Sequence, residues 1–254
     1  MNAYDASLMQ HAVDILKKSS YTVAFTGAGI STPSGIPDFR SPGSGLWDRY
    51  DPFAVASLSA FRHAPERFFD WIKPLYLQSR DAAPNAAHLA LAELESRGKV
   101  HCVITQNIDG LHQKAGSKNV AALHGSAQTA TCPGCRQTYN GEELLEVYVQ
   151  TDVLPACPRC GKTIKPDVIL FGEPLPAQVW QQAELAILKA DAILVIGSSL
   201  EVSPANTLPE SGAAHGAALI INTISATHLD YMADVVIQAD VTTVIPAIRD
   251  LMLH

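Results

Sequence analysis

No stretch of this chain approaches the roughly 20 consecutive apolar residues of a membrane helix, although 47% of its 254 residues are apolar. A membrane-bound role is therefore not expected. The N-terminal residues mix Asp5, His11 and Asp14 among apolar positions and lack the basic start and apolar centre of a secretory signal, so the expected location is the cytoplasm. Positive charge is also scarce: 18 Lys and Arg against 25 Asp and Glu give a formal charge of −7. That balance opposes a broad grip on nucleic acid or on an anionic membrane, and it favours small-molecule or protein partners. Internal repeats and low-complexity tracts are absent, and no linker is long enough to split the chain into independent halves. Cysteine is limited to five residues, too few for a disulfide framework in a chain of this length.

What is present is an alternation of short apolar runs and amphipathic stretches. A helical stripe over Ser7 to Lys18 (Leu8, Ala12, Ile15, Leu16) precedes an apolar run, Tyr21 to Phe25. Further strands are expected at Val100–Thr105, Val120–Leu123, Val168–Phe171, Ala192–Ile196, Ala218–Ile221 and Asp234–Ile237, with helices at 85–96, 177–190, after Pro204 and at the C-terminus. Such alternation implies an α/β fold: a doubly wound, mainly parallel Rossmann-like sheet covered on both faces. Two segments interrupt it. One is aromatic and helical, from Pro52 to about Gln78; the other carries the cysteines. The expected division is a large domain of residues 1–34, 85–125 and 166–254, and a small domain made of a helical module, 35–84, and a metal-binding module, 126–165.

The cysteines give the most specific chemical signal. Cys132-Pro-Gly-Cys135 and Cys157-Pro-Arg-Cys160 are two Cys-x-x-Cys knuckles separated by 21 residues, close to the spacing of a zinc ribbon. Four thiolates close a tetrahedral site and leave no position for water, so one structural zinc ion is expected. Cys102, alone in an apolar run, reads as core.

Polar residues gather just past the expected strand ends, where open α/β sheets bind ligands. Gly27-Ala28-Gly29 follows the first strand and offers a turn whose backbone can approach a phosphate. Thr32 stands where the ordinary dinucleotide fingerprint has its third glycine, and a proline-rich loop (Pro33, Pro37, Pro42) replaces the helix expected there. Pro37-Asp38-Phe39-Arg40, Gln106-Asn107-Ile108-Asp109, His124, Gly197-Ser198-Ser199 and Asn222-Thr223 lie at the other strand exits. Gly-Ser-Ser-Leu lacks the Gly-x-Ser-x-Gly elbow of serine hydrolases.

Seven ordered segments together resemble the sirtuin (Sir2-like) family of NAD-dependent protein deacylases, in its bacterial and archaeal form. They are Gly27-Ala28-Gly29-Ile30-Ser31, Gly35-Ile36-Pro37-Asp38-Phe39-Arg40, Thr105 to His112, Leu123-His124-Gly125, the four cysteines, Phe171-Gly172-Glu173 and Gly197-Ser198-Ser199-Leu200. The resemblance implies NAD as co-substrate and an acyl-lysine protein or peptide as partner, with nicotinamide, O-acyl-ADP-ribose and free lysine as products. It implies that Gly27, Ala28, Gly29, Thr32, Asp38 and Arg40 surround the phosphates and adjoining ribose, and that Phe39 covers the nicotinamide ribose. Ile108 and Asp109 would receive the carboxamide, while Asn107 and Gln106 position ribose and water. Gly197, Ser198, Ser199, Asn222, Thr223, Asp240 and Val241 would line the adenosine half. By the same resemblance His124 is the general base, Asn107 its catalytic companion, and Val168, Phe171, Gly172 and Glu173 the substrate segment. A monomer is expected.

The branch that takes acidic acyl groups carries a Tyr-x-x-Arg pair. Here the nearest pair, Tyr76 and Arg80, is one residue too far apart, which disfavours succinyl and malonyl groups. Three other functions fit parts of the pattern: an NAD-dependent oxidoreductase, a mono-ADP-ribosyltransferase, and a zinc-ribbon module binding nucleic acid or a partner through Arg136, Arg159, Lys162 and Lys165. Nicotinamide release without reduced cofactor separates the deacylase from the first.

Overall fold

The computed structural model describes residues 6–39 and 45–254. Helix α1 (Ala6–Lys18) buries Met9, Ala12, Val13 and Leu16, the three-and-four spacing of one helical stripe. It starts at Ala6, so Ser7 lies inside its first turn. Strand β1 (Thr22–Thr26) is buried along its whole length. Three helices follow where one aromatic module was expected: α2 (Pro52–Val55), capped by Asp51, α3 (Leu58–His63), capped by Ser57, and α4 (Pro65–Asp81). Helix α5 (Ala86–Ser96) begins at Asn85, whose carboxamide oxygen accepts from the N–H groups of Ala87 and His88.

Then come β2 (Cys102–Thr105), α6 (Leu111–Ala115), β3 (Val120–Ala122), β4 (Gly125–Thr131), β5 (Thr138–Asn140), α7 (Gly141–Thr151) and β6 (Lys165–Val168). The chain closes with α8 (Ala177–Lys189), β7 (Ala192–Ile196), α9 (Thr207–Ala214), β8 (Ala218–Asn222), β9 (Val235–Ile237) and α10 (Val241–Leu253).

Six strands form one sheet in the order β3-β2-β1-β7-β8-β9, every pair parallel. Counted within that sheet, the order is 3-2-1-4-5-6, the Rossmann arrangement, and its direction reverses between β1 and β7. One face is packed by α1, α5 and α10 through residues such as Leu16, Leu91 and Ile245, the other by α8 and α9 through Ile187 and Leu208. Burial on both faces explains the unbroken apolar strands.

A second sheet, β5-β4-β6, is antiparallel and carries the cysteines. The strand expected over Val168–Phe171 is displaced: β6 ends at Val168 and belongs to the small sheet. Past Val168 the backbone donors turn elsewhere. Ile169 N–H bonds the His124 carbonyl at 2.9 Å, Leu170 N–H the Glu173 carboxylate, and Phe171 N–H the Ala56 carbonyl. Between the sheets lies an aromatic cluster of Phe61, Phe68, Phe69 and Trp71, with Phe39, Trp47 and Phe171 against it. Among the described residues no helix is long and apolar enough to cross a membrane.

Candidate functional site

At the switch point the loops after β1 and β7 lock together through glycine. Gly29 N–H donates to the Gly197 carbonyl at 2.8 Å. A Cβ on Gly29 would stand 2.8 Å from that oxygen, and one on Gly197, whose φ is +58°, only 2.3 Å from the Ile30 nitrogen. These glycines thus serve loop-on-loop packing, a role their sequence motif did not reveal. Gly197→Ala is expected to cost about 3 kcal/mol, from left-handed strain plus overpacking. A lowered urea midpoint checks this; an unchanged one would refute the interlock.

From the end of β2, Gln106, Asn107 and Asp109 fan out over this crossing. The Asn107 carboxamide donates to the Gly27 carbonyl (3.0 Å) and to Ser31 Oγ (3.1 Å), and the Ser31 hydroxyl donates to Asp109 Oδ2 at 2.6 Å. Asp109 Oδ1 also accepts from Leu111 N–H. Gln106 Nε2 donates to Ser198 Oγ at 2.9 Å, which joins the β2 and β7 exits. Ser31 and Asp109 are 78 residues apart, so no local pattern announces their bond.

His124 leaves the end of β3 half-buried. Its Nδ1 lies 2.9 Å from the Gln106 carbonyl. A carbonyl can only accept, so Nδ1 carries the hydrogen and the neutral ring keeps its lone pair on Nε2. That is the tautomer a general base needs, with the ring anchored by backbone.

Behind these residues lies a histidine pair. Thr26 Oγ1 donates to Thr105 Oγ1 (2.8 Å) and lies 2.9 Å from His112 Nε2; the His112 ring meets His88 edge-on at 4.9 Å. Both are buried. Desolvation lowers His88 to about 4, with Asp109 opposing it, and lowers His112 to about 3, where the neighbouring His88 charge adds to the effect. A depressed folded pKa means the unfolded chain binds protons first as pH falls. Stability present above the unfolded value of about 6.5 is therefore lost from there down toward pH 4 and 3. The expected slope is on the order of 1.4 kcal/mol per pH unit for each histidine. Urea midpoints at pH 7 and pH 5 check it: equal values would mean the pair does not titrate on unfolding.

The other sequence-predicted residues fall as follows. Thr32 Oγ1 bonds the Gly29 carbonyl, and Phe39 sits 5.2 Å, ring to ring, from Trp47. Ala28, Asp38 and Ile108 flank the same strand exits, half-buried; Arg40 lies outside the described residues. Ser199 is exposed beside buried Ser198. Asn222 is wholly buried, and its amide donates to the carbonyls of Ile237 and Ala239, stapling β8 to the end of β9, while its Oδ1 is buried without a partner. Thr223 is nearly buried next to it. Asp240 caps α10 through Thr242, and Val241 is core. Gly172 is exposed at φ +87°, and Glu173 pairs internally with Lys165. Tyr76 donates to the Glu142 carbonyl and Arg80 bonds Asp81 and Glu146; both line a cleft of about 200 Å³ that is also lined by Ser79, Lys114, Ile108 and Asp109 and so borders the β2 exit.

The four sulfurs of Cys132, Cys135, Cys157 and Cys160 lie within 4.8 Å of one another, with the closest pairs at 3.4 and 3.5 Å. Zinc–sulfur bonds of about 2.3 Å require tetrahedral sulfurs about 3.8 Å apart, so the donor set fits zinc. Tyr139 Oη, 3.1 Å from Cys157 Sγ, would donate to that thiolate. Cys102 is separate, its thiol pushed up to about 12 by burial. For a dinucleotide, the glycine crossing at the switch point and the orphaned Asn222 Oδ1 beside it supply a close backbone approach and an unmet polar group.

Residues 27–204 match the family described as the Sir2 family. A protein from Caldanaerobacter subterraneus subsp. tengcongensis named NAD-dependent protein deacetylase 2 is 45% identical over 91% of each chain. One from Archaeoglobus fulgidus named NAD-dependent protein deacylase 2 is 44% identical over 94% of each. Among solved structures, one determined for the mechanism and regulation of Sir2 enzymes superposes with a TM-score of 0.92 at 43% identity, covering 98% of this chain and 99% of that one. A Sir2 complex with a p53 peptide and NAD+ gives a TM-score of 0.86 at 37% identity, covering 95% and 97%.

Proposed function

This chain belongs to the Sir2 family and is an NAD-dependent protein deacylase; we propose that His124 is its general base and that its two sheets frame the two halves of the reaction. NAD is consumed as co-substrate: nicotinamide leaves, and the acyl group of lysine passes to ADP-ribose. The observation that carries the assignment of the base is the anchoring of His124 Nδ1 on the Gln106 carbonyl. It leaves Nε2 as the basic nitrogen, at a strand exit beside the switch point.

Each remaining residue then has a task. Gly27, Ala28, Gly29, Thr32, Asp38 and Arg40 surround the phosphates, and the adenosine half lies along Gly197, Ser198, Ser199, Asn222, Thr223, Asp240 and Val241. Asn107, fixed by Gly27 and Ser31, orients the ribose with Gln106. Ile108 and Asp109 receive the carboxamide; the Ser31 hydroxyl takes one Asp109 oxygen and Leu111 N–H the other, so the carboxylate is held before substrate arrives. Phe39 shields the nicotinamide side from water. The acyl-lysine enters between the sheets, with Val168, Phe171 and Gly172 as its segment.

The aromatic cluster behind that segment presents apolar rings toward it. The stacked Trp47 and Trp71 rings, 5.7 Å apart, and Phe171 form its wall. A carboxylate against those rings would lose its hydration, so acetyl or longer apolar acyl groups are the favoured substrates. We place the large domain at 1–34, 85–125 and 166–254, the small at 35–84 and 126–165, in a cytoplasmic monomer whose thiolates suit a reducing compartment.

The test is mass spectrometry of the protein incubated with NAD and acetyl-, longer-acyl- or succinyl-lysine peptides. Deacylated peptide with matching nicotinamide and O-acyl-ADP-ribose is expected from the apolar substrates. Faster turnover of succinyl-lysine would overturn the apolar reading, and formation of reduced cofactor would overturn the deacylase.

A further inference from the structure

Residues 165–173 leave the small sheet and cross to the aromatic cluster with little regular backbone pairing. Strand β6 stops at Val168, Gly172 takes φ +87°, and beyond β6 the segment is tied to other elements by the Ile169 N–H bond to the His124 carbonyl and by the isolated bridge of Ser57 with Phe171. What folds it on itself is a charge pair. Lys165 Nζ lies 2.9 Å from Glu173 Oε2, with the two side chains only 12% and 18% exposed. The same ammonium donates to the carbonyls of Val168 (2.7 Å) and Pro166 (3.2 Å), and Glu173 Oε2 accepts from Leu170 N–H at 2.9 Å. Lys165 thus spends its three donors, and the carboxylate gathers an ammonium and a backbone amide.

We propose that Glu173 and Lys165 form a clamp that holds Val168 to Gly172 in the shape that receives the acyl-lysine peptide, so that Glu173 is a positioning residue and not a peptide ligand. Its carboxylate is committed to partners within the segment. The residues it holds are the ones facing the entry: Val168 and Leu170 are buried in the aromatic cluster, and the Phe171 ring lies 6.2 Å from Trp47 and 5.2 Å from exposed Phe53. The bonds of the pair lie within residues 165–173, so its loss is expected to leave the six-stranded sheet that carries the dinucleotide residues in place. The inference rests on the assignment of this segment to the peptide.

Glu173→Gln strands a nearly buried ammonium and is the harsher variant. Lys165→Met/Glu173→Met removes both charges, which buried pairs tolerate far better than the loss of one partner. For both, the acetyl-lysine peptide KM is expected to rise about tenfold, the effect of about 1.4 kcal/mol of lost binding. The kcat at saturating peptide and the KM for NAD should stay within about twofold. A fall in kcat with unchanged peptide KM would mark a merely structural pair and overturn the proposal, as would a folded double variant with wild-type peptide KM. Hydrogen exchange separates the underlying assignment: amides 168–173 of the wild type should be protected by added peptide. No protection would sink the substrate-segment reading itself, whatever the variants do.

Discussion

Replacing His124 by alanine slows lysine deacylation by about 10²–10⁴-fold, the usual contribution of a positioned general base, while the affinity for NAD stays near that of the wild type. The expectation follows from how the ring is held. Its Nδ1 hydrogen is committed to the Gln106 carbonyl, so the tautomer is set by backbone and Nε2 is the basic nitrogen. No other histidine near the switch point can substitute. His88 and His112 are enclosed in the core, and burial holds them at about 4 and about 3; a base that weak gains little driving force at neutral pH. The measurement is single-turnover deacylation at saturating NAD, with nicotinamide release followed separately. A His124→Ala enzyme within tenfold of the wild type in the acyl-transfer step would remove His124 from the role. Loss of NAD binding in parallel would instead make it a cofactor contact.

The parts of this molecule that could be read in advance are those whose cause is local. Cys132, Cys135, Cys157 and Cys160 announce a metal because two thiolates per knuckle must sit a few residues apart on one tight turn. The parallel sheet was legible because strands buried on both faces carry unbroken apolar runs, such as Val23-Ala24-Phe25 in β1 and Ala192–Ile196 in β7. His124 and the Gln106–Asp109 run stood out by lying just past strand ends. Long-range pairings were hidden. The glycines of the first loop look like phosphate-loop residues, yet the atoms nearest their missing side chains belong to Gly197 and Ser198. Asn222 reads as a ligand residue, but half of its amide is spent on β9. The strand expected over 168–171 was misplaced because apolar content marks burial without saying in which sheet. There the Leu170 donor is taken by a side chain three residues on, which no periodicity reports.

Removing the metal from the four-cysteine site unfolds the small sheet and abolishes peptide deacylation while the six-stranded sheet persists. Among the described residues the buried cluster around the cysteines is Ala130, Cys132, Cys157 and Ile164, with Tyr139 and Leu144 partly buried against it, too little apolar surface to offset the entropy of ordering β4, β5 and the two knuckles. Zinc contributes about 10–16 kcal/mol to comparable peptide modules, and that free energy is folding free energy. The consequence reaches the active site through one strand. β4 pairs Gly125 with Val168 of β6, and the Ile169 amide bonds the His124 carbonyl, so the proposed general base and the proposed substrate segment both hang on the zinc-dependent sheet. One zinc per chain is expected by elemental analysis. Chelation, or a Cys132→Ser substitution, should release it, erase amide protection over residues 125–168 and stop deacylation. Protection over β1, β7 and β8 should remain, since their core lies between α1, α5, α8 and α10. A zinc-free protein that still deacylates peptide and keeps the protection of β4 would show that the cysteines hold their sheet without metal, and the structural role assigned to zinc would fall.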